Sequence, residues 1–269
     1  MHKLAKTYFW EKVMNSRLQD KAIMVIGAGT GIGAATVRRL AGEGAHVCVA
    51  DIDLAAAQGV ATAVREAGGR AFATAIDIAE PESVGTAFAA ALAQLGRLDG
   101  VHVNAADLRV IFRDSDALDV GLDVFDRTID VNLRGHLLCT KAAIPHLLAA
   151  GGGALLYTSS GACDSAEPTR PSYAMSKSGL NALMRHVASR WGREGIRANC
   201  VAPGFVMTPE MVAGGQVPAE LIEAFLQATP STRVGKVEDI AGVAAMLLSD
   251  DGAWVNGQVF HVNGGGLMR

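Results

Sequence analysis

Short, continuously apolar runs alternate with longer segments of helical spacing along this chain of 269 residues. Apolar runs without alternating polar residues are typical of strands that are buried on both faces. Seven strands are predicted in this way, over residues 22–26, 46–50, 71–76, 98–104, 154–159, 196–201 and 258–262. Helices are predicted over residues 32–44, 54–67, 81–95, 122–150, 172–193 and 238–248. This alternation predicts an α/β fold whose parallel sheet carries helices on both faces and is either doubly wound or closed into a barrel.

The composition favours one folded unit. With 50% hydrophobic and 19% charged residues, the chain can bury a sizeable core, and the composition excludes disorder. We find no proline- or serine-rich linker in the sequence. Residues 18–269 are therefore predicted to form a single domain, preceded by an N-terminal extension of residues 1–17.

Charge and cysteine usage narrow the class of partner. A net charge of −3 disfavours nucleic acid and anionic membrane surfaces, and it indicates a small neutral or apolar partner. The first residues are interrupted by charges, and no apolar stretch of about 18 residues occurs, so neither a signal peptide nor a membrane span is predicted. Four separated cysteines and seven scattered histidines indicate neither disulfides nor a metal site. We expect a cytoplasmic protein with metal-free catalysis.

A glycine-rich turn lies where the first predicted strand meets the first helix. Its candidate binding residues are Gly27, Gly29, Thr30, Gly31, Ile32 and Gly33. The spacing is G-x-x-x-G-x-G rather than the common G-x-G-x-x-G. Glycine permits positive φ and lets backbone N–H groups approach a pyrophosphate at a helix N-terminus. The turn favours a doubly wound, Rossmann-like, seven-stranded parallel sheet over a barrel and predicts a dinucleotide site, although a tight strand-to-helix connection alone is the alternative.

The choice of dinucleotide depends on Asp51, which closes the second predicted strand 20 residues after Gly31. A carboxylate at this place can accept hydrogen bonds from the adenosine ribose hydroxyls and would repel a 2′-phosphate. Ile52 follows it and Thr30 lies in the turn, so no arginine or lysine is placed to neutralise that phosphate. The sequence therefore predicts NAD rather than NADP as the cofactor.

Polar residues also end the third and fourth predicted strands. Asp77 follows the third strand and Asn104 ends the fourth, at the carboxyl edge where such sheets bind ligands. We expect both residues, with their neighbours Ile78 and Ala105, to contact the cofactor. Helix capping is the alternative interpretation of Asp77.

A tyrosine and a lysine open the helix predicted from residue 172. Tyr173 and Lys177 are four residues apart, so the phenol and the ammonium share one helix face. A nearby cation favours phenolate and would bring the pKa of Tyr173 toward the working range of an acid/base catalyst. Ser160 follows the fifth strand, and its hydroxyl is expected at the same sheet edge, where it could bind a substrate oxygen. Each of these signals is common by itself.

Taken together in this order, the motifs resemble the short-chain dehydrogenase/reductase family. The resemblance covers residues 18–268 and includes the glycine turn, Asp51, Asp77, NAA, DVN, SS, YxxxK, VAPGFVMT and a final NGGG. It implies a catalytic set of Asn132, Ser160, Tyr173 and Lys177, in which Asn132 holds a water in a proton relay and Lys177 also binds the nicotinamide ribose. It further implies that the cofactor is contacted by Pro203, Gly204, Val206 and Thr208, the last two at the nicotinamide carboxamide.

Two motifs depart from the family pattern. Ile26 stands where the family usually has threonine before Gly27, and Val103-Asn104-Ala105-Ala106 stands where it usually has NNAG. The first and fourth strands are neighbours in the family's sheet. We therefore interpret the two changes as linked, with apolar packing between the two strands replacing a polar contact.

The substrate side is less defined. The amphipathic segment 219–227 is predicted to form a mobile lid, with a fixed helical insertion as the alternative. The candidate pocket residues are apolar, namely Ile111, Phe112, Phe205, Met207 and Met211. By resemblance, the helical regions 122–150 and 172–193 are expected to form the contacts between chains in a dimer or a tetramer.

These observations predict an NAD(H)-dependent oxidoreductase that interconverts a secondary alcohol and a ketone. A bulky apolar substrate such as a hydroxysteroid would suit the pocket. Two alternatives remain open, a 3-oxoacyl thioester reductase that uses NADPH and a nucleotide-binding sensor or regulator without catalysis.

Overall fold

A computed structural model describes residues 16–215 and 217–268. The strands are β1 (Ala22–Ile26), β2 (His46–Asp51), β3 (Arg70–Ala75), β4 (Gly100–Val103), β5 (Gly153–Thr158), β6 (Ile196–Pro203), β7 (Val206–Met207), β8 (Gly235–Lys236) and β9 (Val259–Val262). Seven of them form one parallel sheet in the order β3-β2-β1-β4-β5-β6-β9. The strand order reverses between β1 and β4. This doubly wound topology confirms the predicted fold class and opens a crevice at the carboxyl ends of β1 and β4.

Nine α-helices connect these strands in the described part of the chain. They are α1 (Gly31–Gly42), α2 (Leu54–Glu66), α3 (Pro81–Leu95), α4 (Leu122–Ile129), α5 (His136–Ala149), α6 (Pro171–Trp191), α7 (Pro209–Ala213), α8 (Ala219–Ala228) and α9 (Val237–Leu248). None of the helices in the described residues has both the length and the apolarity needed to cross a membrane.

The sheet separates two hydrophobic cores. In β1, Met24 and Ile26 belong to the core on the side of α3, α5 and α6, whereas Ile23 and Val25 belong to the core on the side of α1, α2 and α9. All four side chains are completely buried. Because both faces of each central strand are covered by helices, the strands appear in the sequence as continuous apolar runs.

The long helix predicted over residues 122–150 is interrupted. Its middle, Asp130–Gly135, is a π-helical segment that separates α4 from α5. The helix before it packs against α6, whereas the helix after it packs on β4 and β5. The wider turn lets the two parts meet different partners, and a hydrophobic pattern of constant period does not reveal it.

Other differences concern short elements. Strand β4 is shorter than the predicted 98–104, and the two-stranded parallel pair β7–β8 and helix α7 were not predicted. These elements have two to five residues, too few to show a periodicity. Of the predicted N-terminal extension, residues 1–15 lie outside the described residues, while Arg17 forms an ion pair with Glu43 at 2.7 Å.

Candidate active site

The glycine turn is a close-packed crossing between β1 and α1. Gly27 and Gly31 have φ of +77° and +52°, in the left-handed region that favours glycine. A Cβ atom on Gly33 would lie 2.0 Å from the carbonyl oxygen of Gly27, and one on Gly27 would lie 2.5 Å from Cα of Ala105. At the helix start, Thr30 makes no side-chain capping bond and the first turn has no acidic residue. The N-terminus of α1 is thus open to an anion.

Asp51 lies against this turn at the end of β2. Its Oδ2 accepts a hydrogen bond from the backbone N–H of Gly29 at 2.7 Å, and its Oδ1 accepts one from the N–H of Asp53 at 3.0 Å. Each carboxylate oxygen keeps a further acceptor position. The neighbouring Ile52 is 64% exposed and carries no charge. This cradle fits the diphosphate and adenosine ribose of a dinucleotide.

The side chain of Asn104 binds the backbone of the glycine turn. Its Nδ2 donates to the carbonyl oxygen of Gly27 at 2.8 Å, and its Oδ1 accepts from Thr158 Oγ1 at 2.9 Å. Thr158 Oγ1 in turn lies 2.8 Å from His102 Nε2, which is the donor in this arrangement. Burial lowers the pKa of His102 to about 3, so its imidazole is neutral. Neither His102 nor Thr158 was predicted as a site residue, although a histidine inside a buried strand is a signal for such a chain of polar side chains.

The two departures from the family pattern face each other. Ile26 and Val103 are register partners in the pairing of β1 with β4, and both side chains are completely buried. This neighbourhood supports the interpretation that apolar packing has replaced a polar tie at this crossing.

Asp77 forms a turn rather than a helix cap. Its Oδ1 accepts from the N–H of Ala79 at 3.0 Å, whereas α3 begins after Glu80 with a proline at its first position. Ile78 is 4% exposed, and a Cβ atom on Gly135 would lie 2.8 Å from Ile78 Cγ1. The side chain of Ile78 therefore packs on the π-helical segment, so that any contact of Ile78 with a cofactor would use its backbone.

Ser160, Tyr173 and Lys177 converge at the carboxyl end of β5. Tyr173 lies in the first turn of α6, and the side chain of Ser160 is close enough to lower the pKa of its phenol. Lys177, one turn later, places its Nζ 5.7 Å from the centroid of the Tyr173 ring. That ammonium donates to the carbonyl oxygen of Thr158 at 2.8 Å and is almost completely buried. A phenol, a hydroxyl and an ammonium are thus brought together.

The protein environment acts on both titratable groups. Burial raises the pKa of Tyr173, and this effect is opposed by the nearby Ser160 side chain and by the positive charge of Arg170. Burial lowers the pKa of Lys177 from 10.5 to about 8. Arg170 was not predicted as a site residue, because its place beside Tyr173 depends on the turn into α6.

Asn132 lies in the π-helical segment and is completely buried rather than facing solvent. Its Oδ1 accepts from the backbone N–H of Asp107 at 2.8 Å. Its Nδ2 has no hydrogen-bond partner among the described residues. The water relay implied for Asn132 stays a prediction.

The segment after β6 lies across the glycine turn. A Cβ atom on Gly31 would lie 3.4 Å from Thr208 Cγ2, and Thr208 Oγ1 caps α7 by accepting a hydrogen bond from the N–H of Met211. The strand β6 ends at Pro203, and the N–H of Gly204 donates to a carbonyl of β9. These positions bring the segment that contains Val206 to the same edge as the turn, while its contacts with a cofactor stay a prediction.

The segment predicted as a lid is helix α8. It has no fully buried residue, so it does not extend the core. Its Phe225 contacts Phe205, with the ring centroids 5.3 Å apart. Beside this pair lies a cavity of about 360 Å³, and none of the four catalytic candidates lines it. Phe112, predicted to line the pocket, is instead 98% exposed, because it lies in a short helical turn that projects from the surface.

Within residues 16–215 and 217–268, no group of three or more histidine, cysteine, aspartate or glutamate side chains could hold a metal ion.

Comparison with known proteins agrees with this geometry. A family model described as enoyl-(acyl carrier protein) reductase matches residues 27–266. A probable short-chain type dehydrogenase/reductase of Bradyrhizobium diazoefficiens is 40% identical over 253 residues, which cover 94% of this chain and 89% of that protein. The cyclohexanol dehydrogenase of an Acinetobacter species is 35% identical over 255 residues, which cover 94% and 98%. The solved structure of 7α-hydroxysteroid dehydrogenase with NADH and 7-oxo glycochenodeoxycholic acid has a TM-score of 0.87 at 32% identity and covers 95% of this chain and 97% of its own.

Proposed function

Because the chain belongs to the short-chain dehydrogenase/reductase family, whose members bind a nicotinamide cofactor, we propose that it is an NAD(H)-dependent dehydrogenase. It interconverts a secondary alcohol and the corresponding ketone. The observation that carries this proposal is the convergence of Ser160, Tyr173 and Lys177 beside the glycine turn. A binding module without catalysis has no need of an acid/base pair at this place.

The preference for NAD rests on Asp51. Its carboxylate is already oriented by two backbone N–H groups, and a 2′-phosphate would meet its negative charge beside the uncharged Ile52. The open N-terminus of α1 would hold the diphosphate, and the segment around Val206 and Thr208 would hold the nicotinamide carboxamide. When bound, the nicotinamide ring supplies or accepts the hydride.

The protein residues handle the proton. Because burial raises the pKa of Tyr173, the phenol is protonated at neutral pH and can donate to the oxygen of a ketone. For alcohol oxidation the phenol must first lose its proton, which the ammonium of Lys177 favours. The Ser160 hydroxyl holds the substrate oxygen next to the phenol. Proton transfer of this kind contributes about 10² to 10⁴ in rate.

We propose a bulky alicyclic substrate, such as a hydroxysteroid. The names of two relatives, a cyclohexanol dehydrogenase and a 7α-hydroxysteroid dehydrogenase, support this class. The exposed helix α8, held to Phe205 through Phe225, gives the substrate side an apolar cover that can move without disturbing the core.

The test is NAD⁺ reduction over a panel of hydroxysteroids, cyclic alcohols, hydroxyacyl esters and polyols, with the wild type and Tyr173→Phe. Tyr157→Phe is the matched control, because it removes a buried hydroxyl that bonds Thr140 away from the site. We expect Tyr173→Phe to lose at least about 10² in kcat and Tyr157→Phe to keep it. Near-full turnover by Tyr173→Phe would refute the assignment. Firm NADH binding with no alcohol oxidised would favour the sensor.

The thioester reductase alternative shares only its acyl thioester substrate with the description of the matching family model, since an enoyl reductase reduces a C=C bond rather than a 3-oxo group. It predicts a preference for NADPH, which Asp51 opposes. Steady-state kinetics of 3-oxoacyl thioester reduction with NADH and with NADPH distinguish the two functions, and a clear preference for NADPH would overturn our cofactor assignment.

We also propose that the protein is a homo-oligomer that pairs through α4, α5 and α6. This face exposes Leu122, Leu137 and Met175 to 75%, 43% and 49%. Sedimentation equilibrium is the measurement, and a monomer at micromolar concentration would contradict the proposal.

A further inference from the structure

The helix that carries the catalytic candidates begins without a local cap. Its first residue, Pro171, has no N–H, and the first intrahelical bond runs from the N–H of Ala174 to the carbonyl oxygen of Arg170 at 3.0 Å. Arg170, at the capping position, makes no side-chain capping bond. The backbone N–H groups of Ser172 and Tyr173 therefore need acceptors from elsewhere in the chain.

Asp114 provides both acceptors. Its Oδ2 accepts from the N–H of Tyr173 at 2.9 Å, and its Oδ1 accepts from the N–H of Ser172 at 3.3 Å and from Ser172 Oγ at 2.8 Å. Its side chain is buried, with 3% of the residue exposed. One carboxylate thus caps the helix from 58 residues earlier in the sequence and binds the backbone of the catalytic tyrosine itself.

The backbone strengthens this contact. Arg170 adopts φ of +63°, and its N–H donates to the carbonyl oxygens of Asp114 and Ser115 at 3.0 and 2.8 Å. The left-handed conformation turns the chain so that the residues just before α6 lie along the loop that holds Asp114.

The same loop is fixed at its other end to Asn132. The N–H of Asp107 donates to Asn132 Oδ1 at 2.8 Å, and the Asp107 carboxylate is held by Arg109 and Arg127 at 2.6 and 2.8 Å. Residues 107–114, which we call the connecting segment, therefore join the π-helical turn that contains Asn132 to the first turn that contains Tyr173.

We propose that Asp114 is a positioning residue that sets the place of the Tyr173 hydroxyl relative to Ser160 and Lys177. The inference rests on the proposed function, since it assigns Asp114 a part in the same proton transfer. Catalytic groups must be held within a fraction of an ångström, and a displacement of about 1 Å can cost about 10²-fold in rate. Without the carboxylate, the start of α6 loses both fixed acceptors and Tyr173 gains freedom.

The experiment compares Asp114→Asn and Asp114→Ala with the wild type, using the most active alcohol of the panel. Asparagine keeps the shape but has only one acceptor oxygen, and alanine has none. We expect kcat to fall about tenfold for asparagine and about 10²-fold for alanine. KM and the NADH dissociation constant should stay within twofold. The solvent isotope effect on kcat should rise, because a poorly placed phenol makes proton transfer slow.

Asp116→Asn is the matched control. Asp116 lies two residues further along, is exposed, and accepts from the N–H groups of Leu118 and Asp119 at 2.9 and 3.0 Å. The variant loses the same charge without touching α6, and its remaining oxygen can still accept both bonds, so we expect kcat within twofold of the wild type.

Three results would overturn the inference. One is a wild-type kcat in both Asp114 variants, and another is an equal loss in Asp116→Asn. The third is a fall in kcat together with a higher KM, weaker NADH binding and lower thermal stability, but with an unchanged isotope effect. That pattern would indicate a purely structural cap. An active Tyr173→Phe enzyme would instead refute the proposed function, so the two failures are distinguishable.

Discussion

We expect the buried ammonium of Lys177 to destabilise the folded protein. The structure buries its ammonium almost completely and gives it the carbonyl oxygen of Thr158 as acceptor. Burial lowers its pKa from 10.5 to about 8. At about 1.4 kcal/mol per pKa unit, this difference corresponds to about 3 kcal/mol of destabilisation. The unfolded chain binds the proton more tightly, so the cost is complete below pH 8 and disappears as the pH rises to 10.5.

Replacing Lys177 by methionine removes this cost but leaves the Thr158 carbonyl without its donor, which costs about 1 to 2 kcal/mol. The variant should therefore be inactive and, at pH 7, more stable than the wild type by about 1 to 2 kcal/mol. For a chain of this size we expect its Tm to rise by about 2 to 8 °C. At pH 9.5 only about 1 kcal/mol of the cost remains, so the gain should vanish.

The assay is thermal unfolding of both proteins at pH 7 and pH 9.5, together with NAD⁺ reduction at pH 7. Lys141→Met serves as the control, because Lys141 is exposed on α5 and the same substitution there should change neither Tm nor activity. A Lys177→Met protein that is less stable than the wild type at pH 7, or whose difference does not depend on pH, would refute this reasoning.

Three further changes test other parts of the site. Asp51→Ala should raise kcat/KM for NADP⁺ relative to NAD⁺ by about tenfold or more, because it removes a like-charge repulsion; unchanged ratios would contradict this. Gly33→Ala should weaken NADH binding, measured by fluorescence, because its Cβ would lie 2.0 Å from the Gly27 oxygen. Ile26→Thr and Val103→Asn should each lower the free energy of unfolding, measured in urea, by about 1 to 3 kcal/mol. The double variant should lose at least about 1 kcal/mol less than the sum of the two single losses, and additive losses would disprove the link.

The strands and the glycine turn could be predicted because their signals are local. Each central strand is covered on both faces and shows as an apolar run, and the positive φ values of Gly27 and Gly31 need glycine at those places. The spacing of Tyr173 and Lys177 likewise fixes their common helix face. What remained a prediction is the chemistry that these residues perform.

The contacts of Asp114 could not be predicted. They join residues 58 and 59 positions apart, and nothing in the local sequence distinguishes Asp114 from the neighbouring Asp116, which is exposed. The same holds for Arg170, whose effect on Tyr173 depends on a left-handed turn of a residue that is not glycine. Such contacts depend on the packing of the whole chain rather than on a repeating pattern.

The π-helical segment Asp130–Gly135 determines which face of α5 points toward the sheet. An α-helix advances by about 100° per residue, so deleting one residue there would rotate α5 by about that angle relative to α4. Cys139, Ala143 and Leu147, which now pack against the sheet, would turn away from it. Except at Asn132 and at the close-packed Gly135, the segment should therefore tolerate substitutions far better than changes in its length, and a single-residue deletion would damage the core and the active site together.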